Sequence, residues 1–202
     1  MTSLLLIGGG GHCRSCVEVI ESHNDYDIAG IILPDASNTE PVLGYPVVGI
    51  DEELEKFVSE MPGALVAVGQ IHSPSIRIRL FTLLKKLNAE LPVIIASTAY
   101  CSRHASVGYG TIVMHGALIN AAAYIGENCI INSQALVEHD VHIESHCHIA
   151  TGARINGGVE IGMGSFVGSG AIIREGIKIG ARSIIGAGQV VMRNVPENTV
   201  LK

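Results

Sequence analysis

A six-residue period runs through the C-terminal half of this 202-residue chain and constrains its fold more than any other feature. The period matches neither the 3.6 residues of a helical turn nor the alternation of a single strand, and fixed-period self-similarity of this kind indicates a solenoid. Val or Ile occupies all fifteen positions at this spacing: Val107, Val113, Ile119, Ile125, Ile131, Val137, Ile143, Ile149, Ile155, Ile161, Val167, Ile173, Ile179, Ile185 and Val191.

The period predicts a parallel β-helix in which three short strands make one triangular coil. We expect the branched side chains to point inward, because stiff β-branched residues pack well on a pleated surface. Gly or Asn often follows the branched residue, and we expect these residues near the corners, where unusual backbone angles cost them little. Fifteen repeats at three per coil predict about five coils.

The first part of the chain predicts a different unit, because apolar runs alternate there with helical patterns. This alternation is typical of a small parallel α/β domain. We therefore expect two domains, at residues 1–96 and 97–202. The predicted strands are Leu4–Ile7, Ile28–Leu33, Ala64–Val68 and Pro92–Ile95.

Three local features of this domain are predicted in more detail. Residues 42–50 contain two glycines and a proline, which favours a loop. Asp51 is predicted to cap a helix that continues to about residue 60. A further helix is predicted over Ser75–Leu87, with Ile76 on its apolar side and Arg77 on its basic side.

Composition limits the partners and the compartment. The net charge of −6 argues against nucleic acid as the main partner. No apolar run is long enough to span a membrane, and the N-terminus lacks the basic segment of a signal peptide. The five cysteines show no secreted spacing pattern, which fits reduced thiols. We therefore expect a cytoplasmic protein with no nucleic-acid or membrane partner.

Three groups of residues have the composition of a metal or redox site. Cys13 and Cys16 form a C-x-x-C motif, but no second pair exists at zinc-site spacing, so we expect both thiols to fill the core. Cys129 and Cys147 are one coil apart and are expected to be buried thiols, although a disulfide is geometrically allowed. Four histidines lie within residues 139–148, but the six-residue register puts them at different faces and corners of the prism. They cannot converge on one metal ion, so we expect no metal site.

The repeat stretch resembles the left-handed β-helix of the hexapeptide acyltransferases, and the left hand is implied by that resemblance alone. Four motifs are similar to those of the bacillosamine N-acetyltransferase and sialic acid O-acetyltransferase group. The resemblance covers nearly the whole chain and implies a Rossmann-like domain followed by the β-helix. The motifs are Gly8–His12, Val137–Asp140, His148–Gly152 and Gly157–Gly158.

The glycines between the first strand and the first helix are a candidate site for a nucleotide or sugar phosphate. Glycines at such a turn let backbone N–H groups approach a phosphate, helped by the helix dipole. The full dinucleotide pattern fails because Cys13 stands in place of the third glycine, and a tight structural turn is the alternative. By the resemblance, the substrate would contact Gly10, Gly11, His12, Asp35 and Gly69.

His139 is the candidate general base, since acetyl transfer to an amine or hydroxyl needs a proton acceptor with a near-neutral pKa. The resemblance makes His139 the base and Asp140 its partner. Adjacent strand residues point to opposite faces, so Asp140 reaches the ring only if the corner turns it. Glu138 is the alternative partner.

The resemblance also implies acetyl-CoA as co-substrate. It further implies a homotrimer with active sites between subunits, so that His139 and the cofactor groove of one site come from different chains. No metal is implied. The residues implied to bind acetyl-CoA are His148, Gly157, Ser169 and Ala187.

The function expected from the sequence is N-acetylation of a nucleotide-linked amino sugar by direct transfer from acetyl-CoA, with UDP as the expected nucleotide. No Cys is arranged beside a His as a nucleophile, which favours transfer without an acyl-enzyme. Two alternatives stay open. One is O-acetylation of a sialic-acid-type sugar, and the other is a non-catalytic β-helix scaffold or sugar-nucleotide sensor.

Overall fold

The structure is a computed structural model that describes residues 2–22, 25–37 and 40–202. Its N-terminal part is a four-stranded parallel sheet with strand order β3-β2-β1-β4, which confirms the predicted α/β architecture. The strands are β1 (Thr2–Ile7), β2 (Tyr26–Leu33), β3 (Val47–Ile50) and β4 (Gly63–Val66). The helices are α1 (Gly11–Glu21), α2 (Leu54–Glu60) and α3 (Ser75–Lys86).

Two strand predictions in this part are wrong. The segment predicted as a loop contains the edge strand β3, which pairs with β2 from Ile31 opposite Val47. An edge strand tolerates a flanking proline and an internal glycine, the residues that favoured a loop in the prediction. The predicted fourth strand does not join this sheet, because Ile94–Ile95 pairs with Ile112–Val113 in the solenoid.

Asp51 does not cap a helix. Residues Asp51–Glu53 form a 3₁₀ turn before α2, and the Glu53 carboxylate accepts a hydrogen bond from the Ile50 N–H at 3.1 Å. The Asp51 carboxylate instead pairs with Arg79 at 2.9 Å. Neither the 3₁₀ turn nor α2 begins with a side-chain cap hydrogen bond.

Helix α3 is present as predicted, and Leu80 and Leu84 of its predicted apolar side are buried, but Ile76 and Arg77 are exchanged. Arg77 is buried, at 1% exposure, whereas Ile76 is 56% exposed. The buried side of α3 consists of Arg77, Leu80, Phe81 and Leu84. The sequence assigned Arg77 to the solvent side because a guanidinium is rarely buried.

The C-terminal part is a triangular parallel β-helix of eighteen two-residue strands, β5–β22, in sheets of seven, six and five strands. Three strands per coil give about six coils, against the five predicted, because strands outside Val107–Val191 also join the column. The strands are Ile94–Ile95, Tyr100–Cys101, Ser106–Val107, Ile112–Val113, Leu118–Ile119, Tyr124–Ile125, Ile130–Ile131, Leu136–Val137, His142–Ile143, His148–Ile149, Arg154–Ile155, Glu160–Ile161, Phe166–Val167, Ile172–Ile173, Lys178–Ile179, Ile184–Ile185, Val190–Val191 and Val200–Leu201.

The six-residue set forms the interior of this column, as predicted. Fourteen of the fifteen residues are buried, and Val107, near the first coil, is half-buried. Small residues two positions earlier, such as Ala135 and Cys147, complete the same core. Full burial of each branched side chain contributes on the order of 2 kcal/mol, which makes the column the main source of stability in this part.

The prediction that glycines directly after the branched residues relieve unusual backbone angles is wrong. Positive φ angles occur three residues after the branched residue, as at Gly116 (67°) and Asp140 (58°). The glycines directly after it are needed for close approach between coils. A Cβ on Gly126 would lie 2.5 Å from the backbone nitrogen of Ser145 in the next coil.

The α/β part packs against the seven-stranded sheet of the column. Outward-facing Ile94, Ile112 and Ile130 of that sheet share a buried core with residues of β1 and α1, including Leu4 and Cys16. One of the three sides of the prism is therefore covered by the chain's own N-terminal part. The domain boundary near residue 96 stays a prediction.

The two classes of glycine predict different responses to substitution. Gly126→Ala should cost about 3 kcal/mol because its Cβ forces two coils apart, whereas Gly176→Ala should cost about 1 kcal/mol. Gly176 has a φ of 66° and open space around it, so only the left-handed backbone is penalised. Urea unfolding followed by circular dichroism measures both values. Equal losses for the two variants would contradict this account of coil spacing.

Candidate active site

The predicted substrate residues lie at one edge of the four-stranded sheet. Gly10 precedes α1 as its N-cap, and Gly11 and His12 begin the helix. Asp35 follows β2 and accepts a hydrogen bond from the Ser37 N–H at 2.8 Å. Because carboxyl ends of parallel strands share one edge, these loops flank the position where strand order reverses between β1 and β4.

The glycine loop has room for a ligand. A Cβ built on Gly10 or Gly11 meets nothing within 4 Å, whereas one on Gly8 or Gly9 would collide with packed side chains. Gly8 and Gly9 are therefore required by packing. Packing does not account for Gly10 and Gly11, which leave the N-terminus of α1 open to solvent and to an anion.

Gly69 and Gln70, in the loop after β4, link this edge to the β-helix. A Cβ on Gly69 would lie 3.4 Å from the His12 Cβ, so the two residues line the same cleft. The Gln70 carbonyl accepts a hydrogen bond from His148 Nδ1 at 2.5 Å, and the Gln70 side chain donates to the carbonyl of His146 at 2.9 Å. The structure thus places His148 beside the predicted substrate residues.

The ring centroids of half-buried His12 and buried His148 are 6.5 Å apart. Burial, followed by the charges of Arg77 and His148, lowers the pKa of His12 to about 3. Burial lowers the pKa of His148 to about 4, with Arg77 acting in the same direction. Asn132 contacts the second ring nitrogen of His148 at 3.1 Å, so both nitrogens of this neutral ring are engaged.

Arg77 lies behind this cleft and was missed by the sequence analysis. Its guanidinium donates to the carbonyls of Val66 and Val68, each at 2.7 Å, and to the Asn128 side-chain oxygen at 2.7 Å. It therefore joins α3, the end of β4 and a corner of the β-helix. The only sequence signal for its burial is its helical spacing from Phe81 and Leu84, which lie on the same buried side of α3.

His139 and Asp140 form a hydrogen-bonded pair at a corner of the β-helix. His139 Nδ1 lies 2.8 Å from Asp140 Oδ2. The positive φ of Asp140 turns its carboxylate toward the ring, which answers the geometric question left by the sequence. Glu138 instead accepts hydrogen bonds from the Asn120 side chain and the His139 N–H. The hydrogen bond to Asp140, together with the charges of Asp140 and Glu138, raises the pKa of His139.

Gly157 lies one coil above His139. A Cβ on Gly157 would be 2.8 Å from both Cε1 and Nε2 of the imidazole, so only glycine leaves the ring its place. The Gly157 N–H has no hydrogen-bond acceptor among the residues that the structure describes. The proton-accepting edge of the ring and an unused backbone donor are therefore adjacent.

Within one chain, His139 and Gly157 are far from His148. The corner formed by residues 138–141 and 156–159, here the base corner, joins the six- and five-stranded sheets, opposite the sheet that the α/β part covers. Ser169 and Ala187 are exposed and stacked at another corner, which joins the seven- and six-stranded sheets and is here the groove corner (residues 168–171 and 186–189). The residues predicted to bind acetyl-CoA therefore lie in three separate places within one chain: His148 beside the α/β part, Gly157 at the base corner, and Ser169 and Ala187 at the groove corner.

The remaining histidines and cysteines have other partners. His142 stacks on Tyr124 with centroids 4.6 Å apart, and His146 contacts Asn128. No group of three or more potential ligands occurs within the described residues. The five cysteines are Cys13, Cys16, Cys101, Cys129 and Cys147, all free, and all but Cys101 buried, which confirms the core assignments. Across the described ranges, no helix is long and apolar enough to cross a membrane.

The depressed pKa values predict that the protein loses stability in mild acid. A histidine that is neutral when folded and has a pKa near 6.5 when unfolded stabilises fully above that pH, and the contribution falls as the pH drops below it. Between pH 7.5 and 5.0, His12 and His148 should each cost about 2 kcal/mol of unfolding free energy. Urea unfolding at the two pH values tests this. His148→Gln should remove about half of the difference, and an unchanged difference would contradict the assignment.

Comparisons with known families match both parts of the chain. A family model described as the PglD N-terminal domain matches residues 3–84. Models of the bacterial transferase hexapeptide and of the hexapeptide repeat of succinyl-transferase match residues 122–157 and 158–193. Comparison with curated protein sequences finds no match.

Solved structures match over the full length. A mutant of perosamine N-acetyltransferase from Caulobacter crescentus, in complex with CoA and GDP-perosamine, is 33% identical. The match covers 99% of this chain and 93% of that one, with a TM-score of 0.93. The acetyltransferase domain of PglB from Neisseria gonorrhoeae, in complex with acetyl coenzyme A, is 31% identical over 98% of this chain and 94% of that one, with a TM-score of 0.91.

These matches and the triangular column confirm the expected fold, a Rossmann-like α/β part followed by a left-handed parallel β-helix. The identity of about one third over nearly the whole of both chains exceeds a likeness of fold alone. The chain belongs to the PglD-like family of hexapeptide-repeat sugar acetyltransferases.

Proposed function

We propose that this protein transfers an acetyl group from acetyl-CoA to the amino group of a nucleotide-linked amino sugar, with His139 as general base and Asp140 as its partner. The observation that carries the proposal is the 2.8 Å hydrogen bond between them. Because His139 Nδ1 donates to Asp140, the neutral ring presents the lone pair of Nε2. One relative with CoA bound is a perosamine N-acetyltransferase and another is an acetyltransferase domain with acetyl coenzyme A bound, which supports the same reaction class here.

The reaction follows from this arrangement. The sugar nitrogen attacks the thioester carbonyl and loses a proton to His139 Nε2 as the C–N bond forms. Asp140 stabilises the imidazolium that results. The C–S bond then breaks, and the thiolate of coenzyme A takes the proton back from the imidazolium. No covalent acyl-enzyme is required.

The Gly157 N–H is the proposed donor to the developing oxyanion. It has no acceptor within the described part of the chain, and it lies beside the His139 ring. A backbone donor aimed at the thioester oxygen stabilises charge that appears only in the transition state. This gives Gly157 two functions, space for the ring and a hydrogen bond to the substrate carbonyl.

The α/β cleft is proposed to hold the nucleotide. The open N-terminus of α1 at Gly10 and Gly11 suits the diphosphate, with His12 and Gly69 at its sides and Asp35 toward the nucleoside. UDP was expected from the sequence, whereas the relative from Caulobacter crescentus binds GDP-perosamine. A panel of UDP-, GDP- and CMP-linked amino sugars, assayed for free thiol, identifies the nucleotide. Turnover of free sialic-type sugars instead would favour O-acetylation, and no turnover would favour the scaffold.

A homotrimer is proposed from the three sides of the prism. The α/β part covers the seven-stranded sheet, and the five-stranded sheet is polar on its outside, with Glu160 paired to Lys178. The six-stranded sheet exposes apolar residues at both ends, Tyr100 at 59% and Val190 at 58%. Its outward side chains are Tyr100, Leu118, Leu136, Arg154, Ile172 and Val190, and we infer that this sheet faces the threefold axis.

This packing would complete the site between chains. Around a threefold axis that faces the six-stranded sheet, the base corner of one chain lies beside the groove corner of its neighbour. The neighbour's α/β part covers the adjoining sheet and brings His148 and the substrate cleft to the same place. The cofactor residues Ser169 and Ala187 would then face His139 and Gly157 across the subunit boundary.

The base assignment predicts a specific pH profile. The base must be deprotonated, so turnover should rise with pH through the raised pKa of His139. Asp140→Asn should move this acid limb to lower pH and reduce the maximal rate, because the hydrogen bond that raises the pKa loses its charge. His139→Ala should reduce kcat by about 100-fold or more without changing the unfolding midpoint. Wild-type turnover in His139→Ala, or an acid limb unmoved in Asp140→Asn, would contradict the assignment.

The shared site predicts that two inactive variants restore each other. Gly10→Trp fills the open space before α1 without backbone strain, since its φ is −79°. Co-expressed with His139→Ala, it should give mixed trimers with about one quarter of wild-type activity, because intact halves from two chains combine in that share of sites. Each variant alone is the control. No recovered activity, or a monomer in sedimentation, would contradict the arrangement.

A further inference from the structure

Arg77 is a buried cation without an acidic partner. Its side chain is 1% exposed, and no carboxylate pairs with it among residues 2–22, 25–37 and 40–202. Its hydrogen bonds go to carbonyl and amide oxygens, and its Nε has no partner. A buried charge is costly unless it is paired. Packing alone therefore does not explain why a charged residue occupies this position.

One of these hydrogen bonds leads directly to the substrate cleft. Arg77 Nη1 donates to the Val68 carbonyl at 2.7 Å. In a planar trans peptide the C=O and N–H groups point in opposite directions. The N–H of Gly69, in the same peptide unit, therefore points away from Arg77. The guanidinium polarises this peptide so that its positive end is on the far side.

The far side of that peptide is the cleft. Gly69 is exposed and adjacent to His12, and its N–H has no acceptor in the described segments. His12 Nε2 is a buried atom that also lacks a partner. The Gly69 N–H and His12 Nε2, both without a partner in the described part of the chain, thus belong to neighbouring residues beside the glycine loop, and the charge of Arg77 acts on His12.

We propose that Arg77 is the positioning residue for the diphosphate of the nucleotide sugar, acting through the Val68–Gly69 peptide, whose N–H it orients and polarises toward that anion. The inference rests on the proposed function and adds a residue to it. Arg77 does not touch the substrate. Its charge has no carboxylate partner and is balanced when the diphosphate binds, so the binding energy comes from a site already organised for an anion.

The competing explanation is that Arg77 only holds the two parts of the chain together. Its bonds to Asn128 and to the end of β4 do hold them together. The two explanations differ on charge, because a structural bridge needs donors and acceptors, whereas an anion site needs the net positive charge.

Asn128→Asp separates these explanations. Asp keeps the oxygen that accepts from Arg77 and tolerates the φ of 54° at this corner. The substitution gives Arg77 a negatively charged partner. It removes the hydrogen bond from the Asn128 amide to the Arg77 carbonyl and the amide contact with His146. Asn198→Asp is the matched control, an Asn with a φ of 56° at an exposed corner remote from the cleft.

Isothermal titration calorimetry with UDP and GDP, and with uridine and guanosine as uncharged probes, measures the effect. Asn128→Asp should weaken binding of the nucleoside diphosphate by about tenfold and leave nucleoside and acetyl-CoA affinities within about twofold. Asn198→Asp should match the wild type. Undiminished diphosphate affinity in Asn128→Asp would overturn the proposal, as would an equal loss for diphosphate and nucleoside.

A second pair of variants covers the case in which Asn128→Asp does not fold. Arg77→Lys keeps the charge, and Arg77→Gln keeps a donor without it, so only Arg77→Gln should lose diphosphate affinity selectively. Equal affinities in the two would also overturn the proposal. Failure of the proposed function is distinguishable, because it appears in the wild type as absence of acetyl transfer.

Discussion

The stacking of branched aliphatic side chains inside the β-helix is the constraint on which the rest of the structure depends. Each inward Val or Ile packs on its equivalents in the coils above and below, so residues eighteen apart occupy equivalent positions, as Val137 does opposite Ile155. A slip of one residue would turn inward side chains outward. The alignment of Gly157 over His139, and of Ala187 over Ser169, is a consequence of this register and needs no separate explanation.

The outward residues of the same strands decide what each side of the prism does. Ile94, Ile112 and Ile130 bury themselves against the α/β part, and the opposite corner, which carries His139, is left exposed. The proposed general base and the proposed nucleotide cleft are thus held by one rigid column on different sides. In the proposed trimer, association of chains around the threefold axis brings these two places together.

The sequence could predict features that depend on local period, and it could not predict those that depend on a distant surface. The inward set follows from position within a six-residue repeat, whereas the pairing of His139 with Asp140 was implied by the resemblance and depends on how the corner turns. Ile76 and Arg77 were reversed because the side of α3 that is buried depends on Asn128, 51 residues away, and on carbonyls at the end of β4. Strand β3 was missed for a similar reason. Its glycine and the preceding proline disfavour a strand locally, and the hydrogen bonds of its pairing with β2 outweigh that local preference.

Burial and charge give the histidines of this chain opposite properties. At the cleft, desolvation and the field of Arg77 lower the pKa values of His12 and His148, so both rings are neutral at physiological pH. The His148 ring is held by hydrogen bonds to Gln70 and Asn132. At the base corner, the hydrogen bond to Asp140 and the charges of Asp140 and Glu138 raise the pKa of His139, which makes that ring the stronger base. A guanidinium near the proposed base would lower its pKa, and a carboxylate in the place of Arg77 would repel a diphosphate. Acid–base chemistry and anion binding therefore require opposite electrostatic environments, and the β-helix keeps them apart within each chain.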